Sequence, residues 1–325
     1  MPLRIAHIGA GDWSRYAHGP ALQRLAAQSI VSLELICDLQ IERAQLFRDL
    51  FHYRIASDNI HASLTEVSPD VIVCTVQPAA TAALVKSLLP LGIPLFIEKP
   101  PGVSLAEATS LAVASIASHV PTFVAFNRRS IPSIVRLKRW AAQHSIRFAR
   151  VEMLRTNRLE PDFAIGTGIH VLDALRFLLG DPASIAVEPY PRNNSEACDY
   201  SVRLSFPNSA VAEILMMLNT GLRRESYFLS AEGETAEAVL SSAYSSPLGY
   251  QGDRQWSEET IVSENSLTND PLVDGGFLGE YEAFFHALAT GAPLPCSLSD
   301  AARSMQLAEA VLNRYSGPIP PLPFA

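Results

Sequence analysis

Cysteine, cationic charge and long apolar runs are all scarce in this sequence, and each shortage removes a class of protein. The four cysteines, Cys37, Cys74, Cys198 and Cys296, lie far apart with no CxxC pair, so neither a zinc ribbon nor a disulfide framework is indicated. Cys37 and Cys74 fall in strand-like apolar runs and read as small core residues. Lys and Arg total 25 against 33 Asp and Glu, a net charge of −8. That sign is wrong for gripping a phosphate backbone, so no nucleic-acid partner is expected. No stretch reaches the roughly 18 uninterrupted apolar residues of a membrane span. The longest candidate, Leu105 to Phe126, is broken by Glu107, Ser110, Ser115, Ser118, His119 and Pro121. The first residues do not run through the cationic, apolar and small-residue regions of a secretion signal. A cytoplasmic protein with no membrane partner and no metal site is therefore expected.

What is present is material for two cores. The chain has 325 residues, 48% apolar and 18% charged, which fits two folded domains. The first third alternates short β runs with helical stretches: strands over 4–8, 32–38, 70–76, 94–99 and 122–127, with helices between them. That is the pattern of a doubly wound parallel sheet. Two helix starts carry the capping-box pattern, Ser63-Leu-Thr-Glu66 and Ser104-Leu-Ala-Glu107, and a third, Ser297-Leu-Ser-Asp300, opens a late helix. After about residue 145, β runs follow one another with few helices, which predicts a mainly antiparallel sheet. One helix interrupts it, from about Gly168 to Leu179, stopped by Gly180-Asp-Pro182. Further helices are expected over 277–290 and 299–314, and 241–275 reads as a long loop or weak sheet edge. The division drawn between the two domains is 1–122 and 123–325.

The chemistry begins at RIAHIGAGDWS. Gly9 and Gly11 form a G-x-G directly after the first strand and before a helix, where a tight turn and a helix N-terminus receive a pyrophosphate. Ser14 stands where a third glycine is usual. Gly9, Gly11, Asp12, Trp13 and Ser14 are the candidate turn contacts. The second strand ends in Asp38, placed to accept from the adenosine ribose hydroxyls or, alternatively, to cap the next helix. Asp38 would repel a 2′-phosphate, favouring NAD over NADP, while Arg43 one turn later would soften that preference. Glu98-Lys99-Pro100 ends the fourth strand, where ligands of such sheets bind. A partly desolvated lysine beside a cationic ring can exchange a proton with a substrate hydroxyl; the plain alternative is an exposed lysine paired with Glu98.

These stretches, together with PDVIVCTVQP, LFIEKPPGVSLAEA, FVAFNRRSIP and GTGIHVLDALRFLLGDP, resemble the Gfo/Idh/MocA oxidoreductase family over the whole chain. The resemblance implies an N-terminal NAD(P)-binding Rossmann domain (1–122), a C-terminal α/β domain with an open, mostly antiparallel sheet for substrate binding and oligomerisation (123–325), bound NAD or, less readily, NADP, and a homodimer or homotetramer formed through that sheet. It makes Lys99 the catalytic lysine, with a plausibly cis bond to Pro100, and His170 the active-site histidine, with Asp173 sharing its helix face. Thr75, Gln77, Pro78, Glu98, Lys99 and Asn127 would contact the cofactor, and Asn127, Arg128 and Asp173 the substrate. Two departures stand out: Gly166 occupies the place of an aspartate common in the family, so that either His170 and Lys99 suffice, or Asp162 or Asp173 substitutes, or the chemistry is altered, and Thr81 lies near the place of a histidine. The implied activity is hydride transfer between nicotinamide and a carbinol carbon of a sugar, cyclic polyol or sugar derivative. An NAD-dependent glycosidase with transient oxidation and a non-catalytic NAD-binding regulator are the alternatives.

Overall fold

The computed structural model describes residues 1–192, 196–240, 251–258 and 260–324. Strand β1 (Leu3–Ile8) is buried on both faces from Ile5 onward, as a central parallel strand must be. A π-helical turn over Ser14–His18 runs into α1 (Gly19–Ala27), and β2 (Val31–Cys37) returns parallel to β1. There follow α2 (Ile41–Phe51), β3 (Ile55–Ser57), α3 (Ile60–Val67), β4 (Val71–Cys74), α4 (Pro78–Leu88), β5 (Leu95–Glu98), α5 (Leu105–Ser118) and β6 (Thr122–Ala125). The sheet order is β3-β2-β1-β4-β5-β6. The winding reverses between β1 and β4, and outside the carboxyl ends of strands at such a point lies the ligand crevice. All five expected strands are present; β3 is additional, three residues long and too short to show a period. Cys37 and Cys74 are buried, and burial pushes both thiols up to about 12, which makes them inert core residues.

Helix starts show which capping signals prevail. Ser104 Oγ accepts from Glu107 N at 3.3 Å, and Glu107 Oε2 accepts from Val103 N at 2.8 Å. The Ser63 box is not a helix start. Helix α3 begins earlier, at Ile60, because Asn59 Oδ1 already accepts from Ala62 N at 3.2 Å. Ser63 lies inside that helix and its hydroxyl donates to Ser57 Oγ at 2.7 Å.

The rest of the chain forms α6 (Pro132–Ala141), β7 (Phe148–Leu154), a π-helical turn over Ala164–Gly168, α7 (Ile169–Leu179), β8 (Ser184–Pro191), β9 (Cys198–Ser205), β10 (Val211–Met217), β11 (Arg224–Ser230), β12 (Glu234–Val239), β13 (Gly252–Ser257), β14 (Thr260–Ser266), α8 (Pro271–Asp274), α9 (Phe277–Thr290), α10 (Leu298–Leu312) and β15 (Gly317–Pro318). The second sheet runs β14-β13-β12-β11-β7-β10-β9-β8-β15, and β7 with β10 is its parallel pair among antiparallel ones. Of the stretch 241–275, residues 251–258 and 260–275 form the β13–β14 edge hairpin and α8; 241–250 lies outside the described residues.

Two compact units emerge, Met1–Phe126 with Phe277–Ala302, and Asn127–Gly276 with Arg303–Pro323. Helix α9, grouped with the second domain in the sequence division at 122/123, packs in the first unit, where the Tyr281 ring stacks on Phe96 with centroids 4.3 Å apart. In the second unit, Ala149, Val151, Met153, Ile214, Met216 and Leu229 face a buried side of the sheet. The other side carries one continuous row across neighbouring strands: Arg203, Glu213, Arg150, Phe228, Glu237, Arg254 and Glu264 stand in register.

Candidate active site

The glycine turn of the first unit is shaped by its backbone. Gly9 has φ +106°, and a Cβ there would lie 2.6 Å from the Thr75 carbonyl oxygen, so a side chain is excluded by both strain and space. At Gly11 nothing lies within 4 Å of a would-be Cβ, and the backbone is open to close approach. Asp38 does two things. Its Oδ2 accepts from Ala10 N and its Oδ1 from Gln40 N, both at 2.9 Å, pinning the turn and starting α2. Each oxygen retains acceptor capacity for a ribose hydroxyl. Leu39 and Arg43 beside it are exposed, as are Asp12, Trp13, Gln77 and Pro78.

Behind the turn lies a buried hydrogen-bond chain that the sequence reading missed. Thr75 Oγ1 donates to Gly9 O at 2.9 Å. It then accepts from Ser14 Oγ at 2.5 Å and from His7 Nε2 at 2.8 Å, which leaves His7 Nδ1 to accept from Tyr53 Oη at 3.0 Å. Ser14 thus replaces the third glycine with a tether, its hydroxyl holding the helix start to the end of β4. Burial, with His18 adding to it, drives His7 well below its ordinary value, and burial pushes the Tyr53 phenol up, so the chain is neutral throughout. The signal that could have revealed it is His7, a polar residue in the buried stretch Ile5–Ile8 that is otherwise apolar.

A second cluster surrounds the end of β5. Glu98 Oε1 accepts from Trp13 Nε1 at 2.7 Å and from His18 Nε2 at 3.0 Å, and His18 Nδ1 meets Tyr281 Oη at 2.8 Å. Burial works against the Glu98 charge. The hydrogen bond and charge of His18, the charge of Lys99 and the Trp13 bond prevail and hold the carboxyl below its ordinary value. Glu98, expected among the cofactor contacts, is therefore engaged by side chains of its own unit. Lys99 follows it directly, half-buried, and the Lys99–Pro100 peptide is cis.

In the second unit, Asn127 to Ser130 form a short 3-10 turn. Asn127 Nδ2 donates to Gly275 O at 2.8 Å. Arg128 grips Glu225 with Nε and Nη2, each at 3.0 Å, and Arg155 and the Tyr227 hydroxyl meet the same carboxylate. Burial opposes the Glu225 charge, but Arg128 and Arg155 outweigh it and hold the carboxyl far below the ordinary range. Asp173, expected at the substrate, is instead 0% exposed. Arg129 binds it through Nε at 2.8 Å and Nη2 at 2.6 Å, and Ser304 Oγ donates to it at 2.6 Å. Enclosed by those donors, the carboxylate fixes α7 to Arg129. His170 is buried in the first turn of α7. Gly166, one turn before it, has nothing within 4 Å of a would-be Cβ, and Asp162 is exposed.

Residues 3–126 match the model of an oxidoreductase family with an NAD-binding Rossmann fold, and residues 160–317 match the C-terminal alpha/beta domain of the same family. The chain belongs to the Gfo/Idh/MocA oxidoreductase family. It is an NAD-binding oxidoreductase. Among solved structures it is similar to an Agrobacterium radiobacter oxidoreductase in complex with NAD+, L-tartaric acid and magnesium, at 20% identity over 98% of this chain and 99% of that one, TM-score 0.79. A Corynebacterium glutamicum myo-inositol dehydrogenase is 17% identical over 99% and 100% of the two chains, TM-score 0.81. A levoglucosan dehydrogenase in complex with NADH is 14% identical over 98% and 100%, TM-score 0.82. No curated protein matches.

Proposed function

We propose that this protein is an NAD-dependent dehydrogenase that oxidises a hydroxyl of a sugar or cyclic polyol, with Lys99 accepting the hydroxyl proton. Gly9, Gly11, Asp12, Trp13 and Ser14 would hold the pyrophosphate, Asp38 the adenosine ribose, and Thr75, Gln77, Pro78 and Asn127 the nicotinamide half. The fit rests on the bare Gly11 backbone and the remaining acceptor capacity of Asp38. NAD bound there supplies the hydride-accepting ring. The observation that carries the reading is Lys99 at the tip of β5, beside a Glu98 carboxylate that Trp13 and His18 hold in place. That fixed charge stabilises the ammonium which forms as the lysine takes the proton. His170 is assigned the second acid/base position. Sugar and polyol chemistry is supported by the inositol and levoglucosan dehydrogenases among the structural relatives. The test is NADH formation from a panel of polyols and sugars: Lys99→Ala should cut turnover by about 10²–10⁴ and leave NAD affinity within about threefold. A variant that keeps most of its turnover would contradict the assignment.

We infer further that the protein forms a homodimer through the open face of the second sheet. Reversed about Phe228, the row described above meets itself with opposite charges: Arg203 faces Glu264, Glu213 faces Arg254, and Arg150 faces Glu237. A two-fold interface requires such self-complementarity. In analytical ultracentrifugation Arg150→Glu should shift the wild-type dimer toward monomer, and Arg150→Glu combined with Glu237→Arg should restore it. A monomeric wild type would refute the arrangement.

A further inference from the structure

Three arginines stand near the end of β7, and two of them are committed to Glu225. Arg155 ion-pairs with Glu225 through Nη2 and donates from Nη1 to Leu154 O at 3.1 Å and Arg224 O at 3.2 Å. Arg128 places Nε and Nη2 on Glu225 and Nη1 on Asn127 Oδ1, each at 3.0 Å. Their side chains are 8% and 17% exposed. Arg158 differs. It is 36% exposed, and one edge is anchored: Nε donates to Glu160 Oε1 at 2.6 Å and Nη2 to Thr167 Oγ1 at 2.6 Å. The guanidinium also lies over the Phe163 ring, 5.8 Å from its centroid. A guanidinium has five N–H donors. The two on Nη1 meet no acceptor among the described residues.

The anchoring ties Arg158 to the helix that carries His170. Thr167 lies in the π-helical turn that runs into α7, three positions before His170. Thr167 accepts from Arg158, which leaves its own hydroxyl proton available to donate. Gly166, on the same turn, leaves the space beside them open. In a chain of net charge −8, Glu225 draws in both Arg128 and Arg155, and the charge of Arg223 reaches Arg155 as well. A rigid arginine with one edge bound and the other presented is suited to a planar or tetrahedral anionic oxygen group.

We propose that Arg158 is a specificity-determining residue: its Nη1 edge, with the Thr167 hydroxyl, receives an anionic oxygen group on the substrate, a carboxylate or a phosphate. This rests on the dehydrogenase reading above and narrows its substrate class to sugar acids or sugar phosphates in preference to neutral polyols. The experiment has a kinetic and a binding arm. In the kinetic arm, NADH formation is followed with glucose, glucuronate and glucose 6-phosphate. In wild type kcat/KM for one anionic sugar should exceed that for glucose at least about tenfold. In Arg158→Met that ratio should collapse by about 10–50-fold, mainly through KM, with partial rescue in Arg158→Lys. The sugar that responds identifies the anion. In the binding arm, Tm is recorded with NAD and glucuronate or inorganic phosphate; wild type should be raised and Arg158→Met should not. Equal preference for glucose, or a ratio unmoved in Arg158→Met, overturns the proposal while the dehydrogenase reading stands. An Arg158-dependent Tm shift without any NADH formation preserves the anion site and removes the dehydrogenase reading. Should Arg158→Met fail to fold, Arg158→Lys and Thr167→Val carry the same comparison.

Discussion

The two units hold their candidate residues by opposite means. In the first, the glycine turn is backed by neutral groups, His7, Tyr53, Thr75 and Ser14, linked by hydrogen bonds of 2.5–3.0 Å. In the second, α7 and the end of β7 are fixed by full charges, Arg129 on Asp173 and Arg128 with Arg155 on Glu225. A neutral network orders a backbone without imposing a field on a bound dinucleotide. Buried charge pairs give rigidity too, but every partner must be present, because removing one strands the other.

That contrast is sharpest on mutation. Glu225→Ala leaves two guanidiniums in a buried site without their carboxylate and should cost about 3–5 kcal/mol of stability in urea unfolding; a loss under about 1 kcal/mol would mean that water reaches the pair. Thr75→Val removes the centre of the neutral chain and should cost less, about 1–3 kcal/mol.

Acid separates the units as well. The His7 value is depressed in the fold, so its contribution is complete above the unfolded value near 6.5 and declines as pH falls below that. Glu225 is also depressed, but its reference is about 4.5, so its contribution survives to much lower pH. Between pH 7 and 5 the unfolding free energy should therefore fall through His7, by at most about 1.4 kcal/mol per pH unit, and His7→Gln should flatten that slope. An unchanged slope would show that His7 titrates normally. The smallest effect is expected at Gly166: with nothing within 4 Å of a would-be Cβ, Gly166→Asp should change stability by no more than about 0.5 kcal/mol.

The same division governs what the sequence revealed. The first unit's turn, Asp38 and Glu98-Lys99-Pro100 are contiguous signals at strand ends, and the alternation of strands and helices alone orders them in a parallel sheet. His7 escaped notice because its partners, Tyr53 and Thr75, are 46 and 68 residues away. In the second unit nearly everything depends on such distances. Arg129 finds Asp173 across 44 residues and Arg128 finds Glu225 across 97. The shared helix face predicted for His170 and Asp173 held no information about which arginine would enclose the acid. Ser63 failed as a cap for a local reason: Asn59 competes for the same helix and starts it first.

Under the proposed function, the first unit reads the dinucleotide through the glycine turn and Asp38. Calorimetric titration of NAD into wild type, Asp38→Ala and Glu225→Gln tests this directly. Asp38→Ala should weaken NAD at least about tenfold and Glu225→Gln should leave it within about twofold; equal affinity in wild type and Asp38→Ala would contradict the assignment.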